Sequence, residues 1–190
     1  MSKVDAQLIG KVRAFVRSEC EKPTSKYGIE AYEFHFVPMV AYAKALAREF
    51  NADLEIVEVA GWLHDIGSII YGRLDHHING ARVAREFLGE LNYPTERIDK
   101  VEECILSHRG SQGIKCSSLE AQIIAEADVM SNFDNVAGIF KASFVFEHLT
   151  QGEAKISVRE KLERKWSQLN FEKSKDIVRP KYDAAMLLLK

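Results

Sequence analysis

His64 and Asp65 stand side by side in the string Trp62-Leu63-His64-Asp65-Ile66-Gly67, at the end of a helix-patterned segment. Ligand-type residues bracket them: His35 upstream, and His76, His77, His108 and Asp128 downstream. Imidazole together with carboxylate suits the borderline divalent ions manganese, iron, cobalt, nickel and zinc, whereas magnesium prefers an oxygen shell that keeps several waters. A cation of that kind activates water at neutral pH, which points towards hydrolysis. Neighbouring residues on a helix point about 100° apart. One ion can therefore meet both members of the doublet only near the helix end, and the short Asp65 carboxylate is then placed to bridge to a second ion.

Asp128 adds separate weight. It follows Ile123, Ile124, Ala125 and Ala127 in an otherwise apolar stretch, where a carboxylate needs a cation, an ion pair or core hydrogen bonds. His148 lacks an acidic neighbour in a matching pattern and reads as an ordinary surface imidazole. Arg73, Arg109 and Lys115 lie near the ligand segments in sequence. They are the candidates to hold a phosphate, arginine through two-pronged contact, against the plainer reading of solvated charges. Asn132 and Asp134 are candidates for hydrogen bonds that steady the ligands.

Helices must position these groups. Leu8, Val12, Phe15 and Val16 form an apolar stripe that stops before Pro23. A second helix is expected from about Phe34 to Phe50; Pro38 is tolerable only near its start, which puts His35 close to that N-terminus. A third runs from roughly Leu54 to Asp65 with Ile56, Val59, Ala60 and Leu63 inward and Gly67 as terminator. A fourth covers about His76 to Leu91. Thr95 is expected to cap a fifth that ends near His108. Ser117 with Glu120, and Ser157 with Glu160, match capping boxes for later helices. Thr150 to Lys155 reads as a linker. Phe140, Phe144, Phe146 and Trp166 read as core, with a substrate lid or a homodimer surface as alternatives. No strand-like alternation or internal repeat is present, so the expectation is all-α.

The 190 residues are 46% hydrophobic, enough for one sizeable core and a single domain. Net charge is −2 with both signs scattered, which predicts no nucleic-acid or membrane surface, although a local pocket for a nucleotide is compatible with it. The first residues carry no long apolar run, so neither a signal peptide nor a membrane span is expected. Three widely spaced cysteines without a Cys-x-x-Cys pair argue for reduced thiols in a cytoplasmic setting.

His35, then His64-Asp65, then Asp128, on helices throughout, resembles the HD superfamily of metal-dependent phosphohydrolases, from about Phe34 to Asn132. The resemblance implies a helical core over about 30–135, with helices 136–190 packed on it. It implies one metal held by His35, His64, Asp65 and Asp128, with Asp65 and His64 carrying catalysis. Members with two metals add two histidines before the last Asp; here those are His76 and His108, His76 being preferred to His77 because it lies four residues before Gly80-Ala81. The chain departs from several branches: Pro38 stands where many phosphohydrolases have Arg, and Ser68 replaces the Lys of the cyclic-dinucleotide phosphodiesterases. It is most similar to small stand-alone bacterial HD hydrolases. The implied activity is cleavage of a phosphate ester or phosphoanhydride of a nucleotide or other small phosphorylated metabolite. The alternatives are a di-iron oxygenase and a non-catalytic nucleotide-binding domain.

Overall fold

The computed structural model describes residues 4–108 and 116–190. Among these residues every regular element is helical, as the apolar periodicity predicts. The helices are α1 (Ala6–Glu21), α2 (Ile29–Ala31), a π turn (Tyr32–Phe36), α3 (Val37–Glu49), α4 (Leu54–Leu63), α5 (Ile66–Tyr71), α6 (His76–Glu90), α7 (Thr95–Ser107), α8 (Leu119–Ser131), α9 (Val136–Val145), α10 (Gln151–Ser167) and α11 (Glu172–Leu188). No helix among the described residues is long and apolar enough to cross a membrane. Cys20, Cys104 and Cys116 are all free thiols, the first two buried.

The chain divides into two compact units, the first ending at Ala125 and the second running Glu126–Lys190. In the first unit α4 is the central rod, buried at every position from Glu55 to Leu63. Apart from Glu55 and Glu58, which are paired with Tyr93 and Lys44, it is apolar all round, and such a helix belongs inside. Helices α1, α3 and α7 pack on it, and α5, α6 and α7 stack side by side. In the second unit α10 packs between α9 and α11. Trp166 stacks on Tyr182 at 4.4 Å, and Phe133 meets both rings edge-on.

Several local expectations are corrected. The helix that carries His35 begins at Ile29, not Phe34, and reaches α3 through the π turn, where the Val37 N–H bonds Tyr32 O. The wide turn falls just before Pro38, which has no N–H to give the ladder. Thr95 does not cap α7; it is the first helical residue, after Pro94. Ser118 rather than Ser117 takes the Ala121 N–H at the start of α8, and Glu120 accepts from the Asp53 N–H instead of closing a box. Ser157 and Glu160 lie inside α10, whose start is a capping box of Thr150 and Glu153, so the stretch read as a linker is helical from Gln151. Phe144 and Phe146 are exposed, since they fall at the end of α9, and Phe140 stacks on Phe144.

Candidate metal centre

Each ligand-type side chain of the first unit sits at a break in a helix. His35 lies within the π turn, a local widening that often marks functional positions. His64 closes α4 in helical geometry, and Asp65 leaves it at φ −113°, ψ 14°. The doublet thus occupies the corner between α4 and α5, where two neighbouring side chains can converge. Gly67 does not terminate a helix; it lies inside α5. A Cβ there would stand 2.1 Å from the His76 carbonyl oxygen and 2.7 Å from the Gly80 nitrogen. Only glycine lets the α5 backbone lie against the first turn of α6, and that contact holds His76 beside Asp65. The turn into α6 passes through Asp75 at φ 49°, a left-handed position that Asp tolerates. His108 follows the last residue of α7.

The structure brings five of these residues together. His35 Nε2 lies 3.1 Å from His64 Nε2 and 3.7 Å from Asp65 Oδ2. On the other side of the carboxylate, His76 Nε2 lies 3.4 Å and His108 Nε2 3.8 Å from Asp65 Oδ1. Two groups of ligand atoms result, His35/His64/Asp65 and Asp65/His76/His108, each within 4.8 Å of one another. They share Asp65, which offers one oxygen to each. His77 is buried and belongs to neither group.

Backbone carbonyls fix the rings. His64 Nδ1 is 2.8 Å from Gly61 O, His76 Nδ1 is 2.9 Å from Arg73 O, and His108 Nδ1 is 2.5 Å from Ile105 O. A carbonyl only accepts, so each of these Nδ1 atoms carries a hydrogen, and Nε2 is the ring nitrogen turned inward. Histidine ligands are oriented by this outer hydrogen bond in metal sites generally. His64 Nε2 and His35 Nε2 lie 3.1 Å apart, within hydrogen-bonding distance, so both can turn to one cation. Borderline divalent cations fit this donor set of imidazole nitrogens and carboxylate oxygens. The Ser68 hydroxyl donates to Asp65 Oδ1 at 3.1 Å, which fixes the turn of the carboxylate.

The remaining candidates fall elsewhere. Arg109 and Lys115 lie outside the described residues. Arg73 is exposed, and its charge and that of Asp65 both reach Tyr27. Burial pushes the Tyr27 phenol above its ordinary value; Arg73 pulls it down and Asp65 pushes it further up. Sequence reading missed Tyr27 because it stands in a polar turn with no spacing signal. Asp128 is part of the second unit, where its Oδ2 lies 3.4 Å from Lys165 Nζ. Asn132 donates to the backbone carbonyls of Asp128 and Val129, not to a carboxylate, and Asp134 pairs with Lys181. His148 is exposed between α9 and α10, at φ 55°.

A family model for the HD domain matches residues 32–132, just over half of the chain. The chain belongs to the HD domain family. All six positions of the expected ligand pattern, His35, His64, Asp65, His76, His108 and Asp128, lie in the matched span. Ribonuclease Y of Enterococcus faecalis is 33% identical over 97 residues, which is 51% of this chain and 17% of that protein. Ribonuclease Y of Oceanobacillus iheyensis is 36% identical over 93 residues, 48% of this chain and 16% of that protein. The HD domain is therefore shared with proteins of which it makes up a small part. Among solved structures, the Lin1889 protein of Listeria innocua aligns with a TM-score of 0.72 at 17% identity, over 96% of this chain and 92% of that one. Bacillus subtilis YpgQ, solved in complex with ADP, aligns with a TM-score of 0.72 at 19% identity, over 95% and 92%. At these identities the likeness establishes the fold.

Proposed function

We propose that this HD domain is a metal-dependent phosphohydrolase that cleaves a phosphate ester or phosphoanhydride of a nucleotide or another small phosphorylated metabolite. The observation that carries the reading is the set of inward Nε2 atoms arranged around one two-sided carboxylate. His35, His64 and Asp65, joined by Asp128 on the family pattern, would hold one divalent ion, and Asp65, His76 and His108 a second. Manganese, iron, cobalt, nickel and zinc all suit these donors. A cation bound there supplies Lewis acidity towards water and phosphate oxygens.

The chain's own residues prepare the site. Gly61, Arg73 and Ile105 carbonyls hold three imidazoles in the tautomer that can ligate. Asp65 brings negative charge between the two groups, and Ser68 holds its rotation. Arg73 is the described candidate to bind the phosphate. A nucleotide is favoured as substrate because a protein of this fold, YpgQ, holds ADP, and because Phe34, Leu74 and Ile78 stand exposed next to His35 and His76 in the chain, where a base could be covered. The ribonuclease Y relatives are named for action on another phosphodiester, RNA, but this chain's net charge of −2 favours a small ligand over a polyanion.

The test is a screen of phosphorylated metabolites, ADP and ATP among them, with each of the five metals. Wild type should release phosphate or pyrophosphate only with metal, and Asp65→Ala should not. Retained iron with oxygen uptake and no phosphate release would transfer the site to oxygenase chemistry. Nucleotide binding without turnover on any metal would make it a binding domain.

A further inference from the structure

Two loops that lead into ligand-bearing helices are each bent at a glycine. Gly28 lies at φ 64°, ψ −168° and Gly72 at φ 86°, ψ −174°. Essentially only glycine adopts that region. Nothing stands within 4 Å of a Cβ built at either, so the backbone path and not crowding requires it. Tyr27 precedes Gly28, and Arg73 follows Gly72. Each loop is also joined to a ligand element. Gly28, whose N–H donates to Ser25 Oγ at 3.1 Å, opens the helix that runs into the π turn of His35. The Arg73 carbonyl holds the His76 ring. The half-buried Tyr27 phenol stands within electrostatic reach of both the Arg73 guanidinium and the Asp65 carboxylate. The Lys26 ammonium lies 5.7 Å from the centre of its ring. Arg73 is exposed and, among the described residues, pairs with no carboxylate. A guanidinium without an ionic partner, a phenol and a second cation beside a ligand carboxylate suit an anion.

We propose that Tyr27 is a substrate-positioning residue of the HD site, its hydroxyl donating to the phosphate that Arg73 also holds. The inference rests on the phosphohydrolase reading of the site. A phenol ionises near pH 10, and burial pushes this one higher. Tyr27 therefore keeps its hydrogen at neutral pH and can donate it. Guanidinium grips two oxygens in its own plane, and a donor from a different loop stops the phosphate turning about that grip. Being neutral, the phenol does so without repelling a cation at Asp65, as a further lysine or arginine there would. A tyrosine that only packs one loop against the other would act through its ring and not through its hydroxyl.

The test uses the full chain with Tyr27→Phe, which keeps the ring and removes the donor. Calorimetry titrates Mn2+, then inorganic phosphate onto the Mn2+-loaded protein, and circular dichroism confirms that the variant folds. Tyr27→Phe should bind Mn2+ like wild type and phosphate about tenfold more weakly, the scale of one hydrogen bond to a charged group. Unchanged phosphate affinity would overturn the proposal in favour of a packing role for the ring. A parallel loss of Mn2+ affinity would overturn it in favour of a phenol that serves Asp65 alone. Wild type that takes up Mn2+ but no phosphate would overturn the phosphohydrolase reading itself, a failure told apart because it precedes any variant.

Discussion

At its N-terminal end α4 meets Arg97, and at its C-terminal end it meets three imidazoles. Both ends are polar and largely buried, yet their chemistry differs. At the first, Asp53 accepts the N–H groups of Glu55 and Ile56, and its two oxygens take Arg97 Nη1 and Nη2 at 3.0 and 2.9 Å. Glu55 accepts from the Tyr93 hydroxyl at 2.9 Å and from the Asp5 N–H at 2.7 Å, with Arg97 3.1 Å away. Donors face acceptors and positive faces negative, so the cluster is complete within the chain. At the other end ligand-type atoms converge: His35, His64, His76 and His108 direct Nε2 towards each other and towards the Asp65 oxygens. Burial of polar groups does not mark a site. Convergence of groups that can all ligate the same cation does.

Asp65 and Arg97 should therefore fail in opposite ways. Asp65→Ala is expected to lower metal-dependent phosphate release on the order of 10³-fold or more, because the charge shared by both ligand groups is gone. Its melting temperature in chelator should barely change. Loss of both in parallel would break the distinction between the two ends. Gly67→Ala should damage stability and site together. The added Cβ meets backbone atoms of α6 that cannot swing aside, which costs about 3 kcal/mol. Urea unfolding measures the first effect, and Mn2+ titration the displacement of His76.

Arg97→Met tests the other end. Breaking a buried pair costs about 3–5 kcal/mol. This one is a quarter exposed, so about 2 kcal/mol is expected, with activity intact below the melting transition. The pH dependence has a definite sign. Burial alone would raise the Asp53 carboxyl, but the hydrogen bonds and charge of Arg97, with the Ile56 and Glu55 N–H groups, hold it below its ordinary value. Stability from a depressed carboxyl is complete above its unfolded pKa of about 3.9 and is lost as pH falls through the folded value. As pH falls below about 4, the ordinary carboxylate value, wild type should thus lose more stability than Arg97→Met. Parallel curves in urea titrations would show that the cluster is not the closed ion network described.

The sequence displayed the helices because their apolar residues repeat at 3.6, and it displayed His64-Asp65 because two ligand types are adjacent. His35 was legible as a ligand-type residue near a helix start, and its π turn was not, since Pro38 marks a helix start in sequence rather than the end of a widened turn. Thr150 and Glu153 had the spacing of a capping box but were read as a linker, while Ser157 and Glu160 had the same spacing inside a helix. Local spacing does not say which of two equivalent signals the tertiary structure uses. Tyr27 stayed hidden for another reason: Asp65, the carboxylate whose charge reaches it, lies 38 positions away in the chain. The Arg97 cluster shares that long range, with Arg97 44 positions from Asp53, which is why the closed ion network at the other end of α4 is not legible in the sequence.

Ser68 sharpens the comparison most finely. It is buried, and its hydroxyl donates to Asp65 Oδ1, the same oxygen that faces His76 and His108. Its place in α5 is one turn beyond Asp65, so the bond spans the corner that the doublet occupies. Removing a group that orients a ligand typically costs about 10–100-fold in metal affinity. Ser68→Ala should fall near the lower limit, about tenfold, because the helix junction still aims the carboxylate roughly correctly. The loss should be larger for the Asp65/His76/His108 group, whose oxygen Ser68 holds, than for the His35/His64 group on Oδ2. A two-step Mn2+ isotherm separates the groups: one step should shift and the other should stay. Ser68→Thr, which keeps the hydroxyl, should restore it. An equal shift of both steps would mean that Ser68 supports the corner as a whole, making this end of α4 as much a structural joint as the Arg97 end.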